Sequence, residues 1–274
     1  MISLLTLSKE VRDKIDELKN SVNIVGLSGG KDSMATCILM NYLDIPYQTI
    51  TAEVWRKENI TGENPRHYEF MHNDVVRKLD AWGVNCNFVR SKTTAYEYIT
   101  TPIVKSAEHP ERIGKIRGFP LCGRCGIQRD CKIRPCEKFY RSILGEYNVI
   151  TGIAADEESR LVSNTANHRI SILELLEVRE FETYGICTSE KLLSPTYNFS
   201  DRGGCWFCPN QKIQELAVLY YDFPNLWDEL MEIQRVPNKV QENFNRRQTL
   251  YDIEKQIKNG VQMKIFMGDL FAQE

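Results

Sequence analysis

Two cysteine pairs, Cys122/Cys125 in LCGRCG and Cys205/Cys208 in GGCWFCPN, are the strongest chemical signal in the chain. Each C-x-x-C stands beside glycine or proline, which exposes backbone amides to sulfur. Two such knuckles suit tetrahedral thiolate coordination of zinc or of an iron–sulfur cluster. Spacing alone selects Cys122, Cys125, Cys205 and Cys208 as four ligands, and Cys131 and Cys136 lie close by in RDCKIRPCEKF. The nine cysteines make an odd count, and the start of the chain, MISLLTL followed at once by SKEVRDKIDELKN, carries no secretion or membrane signal. A disulfide framework is therefore not expected, and a cytoplasmic location away from membranes is. Cys37, Cys86 and Cys187 sit singly on apolar stretches and read as small packing residues.

A second feature is Ser28-Gly29-Gly30-Lys31-Asp32-Ser33, held between the apolar run VNIVGL and a helical pattern. Glycines let backbone amides turn inward, and the helix N-terminus adds partial positive charge, so the loop is suited to a polyphosphate. It is not a Walker A loop, because Asp32 rather than Ser or Thr follows Lys31. The histidines read as surface or packing residues: His67 and His72 are five apart on a predicted helix and do not face together, His109 lies in a loop, and His168 stands beside Arg169.

These residues need a scaffold, and the apolar periodicity supplies one. Helices are expected over residues 9–20, 32–43 and 65–84, the last with Asn64 as cap and Pro65 in its first turn. VNIVGL, YQTITAEVW, CNFV and NVITGIAADE read as strands. Alternation of strand and helix implies crossover connections, hence an α/β fold with a parallel sheet flanked by helices. After about Arg160 the rhythm changes: a turn-rich cysteine-knuckle region leads to two predicted helices, around residues 213–231 and 240–258. The economical division is an α/β nucleotide-binding domain over 1–210, including the cysteine metal region, and a helical C-terminal part over 211–274.

With 274 residues, 42% of them hydrophobic, the chain can bury a sizeable core. Its net charge of −2 argues against broad non-specific DNA binding. That value hides a local imbalance. From Glu111 to Arg141 there are nine basic residues against three acidic ones, a field suited to an anionic partner or simply a solvated face.

The SGGKDS loop meets in full the SGGxDS signature of the PP-loop ATP pyrophosphatase superfamily, which the chain therefore resembles. The resemblance implies a Rossmann-like sheet and a loop, Leu27 to Ser33, holding the phosphates of ATP or a related adenine nucleotide, with adenylation and pyrophosphate release as the usual reaction. It further implies that Glu53, ending the second strand, meets the adenosine. Lys31 would neutralise the leaving pyrophosphate, and the charge of Asp32 suits Mg²⁺. TGIAADEESRL resembles the G-x-R-x-x-E-S-x-x-R region of the PAPS reductase branch, which includes the DNA phosphorothioation proteins. Gly152, Glu157 or Glu158, and Arg160 match, whereas Ala154 replaces the first arginine. Arg160 and the basic segment would then contact a second anionic group.

The same branch has a cysteine before a K-x-x-P-like stretch, as in Cys131-Lys132-Ile133-Arg134-Pro135, and GCWFC resembles the C-x-x-C of phosphorothioation proteins with a four-iron cluster. That resemblance favours Cys131, Cys205 and Cys208 with one of Cys122 or Cys125, preferably Cys125, and a 4Fe-4S cluster over zinc. Cys122-Gly-Arg-Cys125 is also similar to the tRNA thiolases, in which three cysteines leave one iron open. The implied activity is ATP-dependent sulfur transfer to, or modification of, a nucleic acid or nucleotide, with a sulfur-donor protein as a further partner. Two other readings stand beside it. One is sulfonucleotide reduction, although the usual route needs a C-terminal E-C-G-x-H cysteine and no cysteine follows Cys208 here. The other is a non-catalytic nucleotide-sensing or nucleic-acid-binding module stapled by zinc.

Overall fold

The computed structural model describes residues 7–120 and 125–261. The chain opens with helix α1 (Lys9–Lys19), capped by Ser8, and enters strand β1 (Asn23–Gly26), buried over its first three residues. The glycine loop leads into helix α2 (Lys31–Tyr42), nine of whose residues are buried. Strand β2 (Gln48–Glu53) follows, then a short hairpin of β3 (Trp55–Lys57) and β4 (Ile60–Thr61). Asn64 caps helix α3 (Pro65–Glu69) through a bond from the Arg66 N–H, as expected. The helix widens into a π-type turn at Phe70–Val75 before continuing as α4 (Val76–Ala81). Next come β5 (Cys86–Arg90), α5 (Ala95–Thr100), β6 (Ile116–Gly118), α6 (Arg134–Tyr140) and β7 (Asn148–Thr151). Helix α7 (Glu158–Ala166), strand β8 (Arg169–Ser171) and helices α8 (Ile172–Leu175) and α9 (Glu182–Ser189) complete the α/β part.

The five-stranded sheet runs β5-β2-β1-β7-β8, and all its pairings are parallel. Val25 stands opposite Thr49 and Ile24 opposite Val149, so the apolar β1 run is enclosed on both sides. With helices flanking it, this is the expected Rossmann-like α/β architecture. From β1 the chain steps outward through β2 and β5 on one side, then returns to place β7 and β8 on the other. The order thus reverses between β1 and β7, and the carboxyl ends of those two strands form the crevice in which open α/β sheets take ligands.

Helices α10 (Ile213–Asp222), α11 (Pro224–Arg235) and α12 (Leu250–Lys258), with strand β9 (Lys239–Gln241), form the C-terminal part. They share a second hydrophobic core with Val54, Ala95, Ile99, Phe119 and Ile127, and with Trp206 and Phe207 of the second knuckle. Strand β9 also pairs in parallel with β6. No helix among the described residues is long and apolar enough to cross a membrane.

Several boundaries depart from the periodicity. YQTITAEVW is not one strand: β2 ends at Glu53, the buried Val54 intervenes, and Trp55–Lys57 turns away to pair with Ile60–Thr61. The helix expected over 213–231 breaks at Phe223, whose φ of −133° and ψ of 59° are not helical, and Pro224 starts a new helix where its missing N–H costs nothing. The front of the helix expected over 240–258 is strand and loop. Its helical part begins only at Leu250, where Thr249 and Asp252 make a reciprocal capping box. Strand β8 was not foreseen.

Candidate functional site

The glycine loop sits at the crevice between β1 and β7. Gly29 has φ +71°, a left-handed conformation that glycine adopts without strain, and a Cβ there would fall 2.2 Å from Met71 Sδ and 2.7 Å from His67 Cε1. The loop is tied internally: Ser33 Oγ donates to the Gly30 carbonyl at 2.9 Å and lies 3.2 Å from Ser28 Oγ. Across the crevice, Gly152 follows β7 so closely that a Cβ would come within 2.5 Å of Ser33 N and 2.6 Å of the Asp32 carbonyl carbon. Only a hydrogen fits between this turn and the first turn of α2. An open cradle of about 300 Å³ results, with Ser28, Gly30, Asp32 and Ser33 on one wall and Gly152, Arg160, Asn164 and Arg169 on the other.

Of the expected phosphate-handling groups, Asp32 and Arg160 border this cradle and Lys31 does not. The Lys31 side chain is buried, with Nζ 2.8 Å from Asp32 Oδ1, 2.9 Å from Glu180 Oε1 and 5.4 Å from the centre of the Tyr184 ring. Burial opposes its charge, but hydrogen bonds to the two carboxylates outweigh it and raise its pKa. Its backbone N–H donates to Tyr197 Oη at 2.9 Å, so one of the loop amides is committed inside the protein. Asp32 Oδ1 also accepts from Thr183 Oγ1 at 2.9 Å, and Arg160 donates to the Glu157 carboxylate.

Beside the cradle, under the ends of β1 and β2, lies a cavity of about 200 Å³ lined in part by Leu27, Ser28, Glu53, Tyr68, His72 and Phe88. Leu27 is bonded through its N–H to the Ile50 carbonyl at 2.9 Å. Glu53 is where expected, at the end of β2, with Oε1 2.8 Å from His72 Nε2. The His72 ring stacks on Phe88 with centroids 4.8 Å apart and lies 4.3 Å from that of Tyr68. Aromatic faces beside a carboxylate suit a planar, hydrogen-bonding base or its sugar. His67 borders the same cavity as His72. The two rings nevertheless turn to different partners, His67 to Ser28 and Ser194 and His72 to Glu53, along a helix that widens into the π-type turn at Phe70–Val75.

His67 is buried and holds the glycine loop, a contact that its sequence position does not disclose. Its Nε2 is 3.0 Å from the Ser28 carbonyl and its Nδ1 2.9 Å from Ser194 Oγ. The carbonyl can only accept, so the proton belongs on Nε2 and Nδ1 accepts from the serine. Burial lowers the pKa of this ring and favours that neutral form. Tyr197 is equally hidden, 166 positions from the loop amide it accepts from.

A third cavity, of about 270 Å³, is lined by Cys125, Cys205 and Cys208. The reason is local. In Cys205-Trp-Phe-Cys208 the two aromatic residues are buried in the second core, and Trp206 Nε1 donates to the Thr61 carbonyl at 2.7 Å, which leaves the flanking thiols at the cavity wall. Burial raises the pKa of both thiols. Cys131 does not line that cavity: it is buried in the second core, against which Cys125 and Cys205 also pack, and its Sγ donates to the Thr93 carbonyl at 3.5 Å. Cys122 lies outside the described residues. Among the described residues no three histidine, cysteine, aspartate or glutamate side chains form a group that could hold a metal ion. The third cavity does bring three thiols, Cys125, Cys205 and Cys208, to one lining, the donor type a thiolate-bound centre takes, but they are not gathered as a metal-holding group.

His67 and Lys132 border both the second and third cavities. Lys132 Nζ is 2.7 Å from Glu63 Oε1. Burial works against its charge, and the Glu63 carboxylate more than restores it, so its pKa is raised. Much of the remaining basic segment is paired within itself: Arg129 and Arg134 both reach Asp130, at 2.7 and 2.8 Å, and the bond from Arg129 holds that carboxyl below its usual range. Comparison with protein-family models and with curated protein sequences finds none that matches this chain.

Proposed function

We propose that this chain is a PP-loop enzyme of the PAPS reductase type, which binds ATP or a related adenine nucleotide and uses it in sulfur transfer to, or modification of, a nucleic acid or nucleotide, with an iron–sulfur centre on the cysteine knuckles. The observation that carries this reading is the adjacency of the three cavities, each of which shares wall residues with the next. The cradle and the aromatic cavity share Gly26 and Ser28, and the aromatic and cysteine cavities share His67 and Lys132. A nucleotide with its phosphates in the cradle and its nucleoside in the middle cavity would end beside the wall of His67 and Lys132, on whose other side the thiols lie.

In this reading the first turn of α2 and the loop amides that remain open bind phosphate oxygens, and Arg160 adds a cation. The Asp32 carboxylate at the cradle wall holds Mg²⁺. Lys31 is a positioning residue: its ammonium fixes Asp32 and Glu180 rather than meeting the leaving pyrophosphate. Glu53, held by His72, meets the nucleoside. Cys125, Cys205 and Cys208, with Cys122 or Cys131, would hold the centre, which supplies electrons or an iron site for sulfur when bound. Lys132, between the middle and cysteine cavities, offsets negative charge on either side of that wall.

Anaerobic purification followed by iron, zinc and acid-labile sulfide analysis tests the metal half of the proposal. Iron with sulfide is expected, lost in Cys205→Ala and Cys208→Ala but retained in Cys86→Ala. Stoichiometric zinc without sulfide would instead sink the cluster and favour a nucleotide-binding module with structural knuckles.

A further inference from the structure

The two arginines of the cradle are not equivalent. Arg160 is committed to Glu157, three residues before it. Arg169 is exposed and pairs with no carboxylate among the described residues. Its backbone is nevertheless firmly placed: it opens β8, stands opposite Val149 of β7, and its carbonyl accepts from Asn164 Nδ2 at 3.2 Å. Asn164 is in turn oriented by Thr151 Oγ1, which donates to its Oδ1 at 2.9 Å. A rigid strand start thus presents an uncommitted guanidinium to the cradle wall opposite the first turn of α2. Its charge also opposes the effect of burial on Cys136 and Tyr140 of α6, so its field extends toward the cavity that Cys136 lines.

We infer that Arg169 is the specificity-determining cation of the cradle, reading the outer phosphates of the bound nucleotide and so favouring a nucleoside triphosphate over the monophosphate. The inference rests on the nucleotide reading above and adds to it the residue that counts phosphates. Even with Mg²⁺ at Asp32, a triphosphate keeps net negative charge, which a partial charge at a helix end and an arginine already paired with glutamate leave undercompensated. A free guanidinium supplies a full charge and a two-pronged donor. No motif marks this residue, since it belongs to the short edge strand and lies outside the TGIAADEESRL stretch.

Calorimetric titration of the full chain with ATP and with AMP, in the presence of Mg²⁺, tests the assignment in wild type, Arg169→Ala and Arg169→Lys. Arg169→Ala is expected to weaken ATP binding about tenfold, equivalent to ~1.4 kcal/mol, while AMP affinity changes less than about twofold and the unfolding midpoint is unchanged. Arg169→Lys, which keeps the charge but loses the fork, should fall between. An unchanged ATP affinity, or an equal loss for ATP and AMP, overturns the role of Arg169 and leaves nucleotide binding standing. Failure of the wild type to bind either nucleotide overturns the nucleotide reading itself and the role of Arg169 with it.

Discussion

His67 shows how one side chain can hold a loop that has few side chains of its own. Gly29 and Gly30 contribute only backbone, so the position of the Ser28 carbonyl depends on the imidazole that donates to it and on Ser194 behind that ring. The SGGKDS stretch was legible because its information is local, six consecutive residues after an apolar run. His67, Ser194 and Tyr197 were not legible, because nothing near them in sequence marks contacts that only the fold creates. The arrangement has a pH signature. The folded pKa of His67 lies below its ordinary value of 6.5. Below that pH the unfolded chain binds the proton first, so this contribution to stability is complete above about pH 6.5 and is lost as the pH falls toward the folded pKa. Urea unfolding at pH 7.5, 6.5 and 5.5 should show stability falling over the lower step in wild type, with a visibly smaller fall in His67→Gln. Equal falls in both proteins would remove His67 as the cause.

At the scale of elements, alternating strands and helices led correctly to a parallel sheet as far as β7, because buried strands and amphipathic helices have distinct periods. The signal failed where elements are short or interrupted. Strand β8 is only three residues long, too brief to show a period. In the C-terminal part an apolar helical period continues through Phe223 and Pro224, masking a break that the proline itself explains. The association of β3 with α11 was also invisible, since it depends on charge rather than period. Arg56 is fully buried on β3, with NH2 3.2 Å from Glu229 Oε2 of α11 and its guanidinium carbon 4.4 Å from the centre of the Tyr96 ring. Burial lowers the Arg56 pKa against the pull of Glu229 and Glu232. Removing the closer carboxylate leaves a buried cation poorly compensated, and Glu229→Ala is expected to cost about 3–5 kcal/mol in denaturant unfolding. A loss below about 1 kcal/mol would show that the pair does not join these elements.

For the whole molecule, the β1/β7 reversal places the cradle at the glycine loop, and the second core places the second cysteine knuckle. The middle cavity lies where they meet, with His67 and Lys132 on its wall toward the thiols. The glycine loop and the cysteine knuckle at the two ends of this row stand out in the sequence as motifs, but their adjacency does not, because no spacing along the chain reports how a second core folds against the first. Cys136 provides a native reporter within it, since its partly buried thiol lines the middle cavity. Cys86, also partly buried, begins β5 at the opposite end of the sheet. The most direct test of the account is the alkylation rate of each cysteine, followed by mass spectrometry under anaerobic conditions with and without ATP·Mg²⁺. The account predicts that nucleotide slows modification of Cys136 several-fold and leaves Cys86 unchanged. A Cys136 rate that is indifferent to saturating ATP, or that changes only in step with Cys86, would contradict a nucleotide site at the β1/β7 crevice.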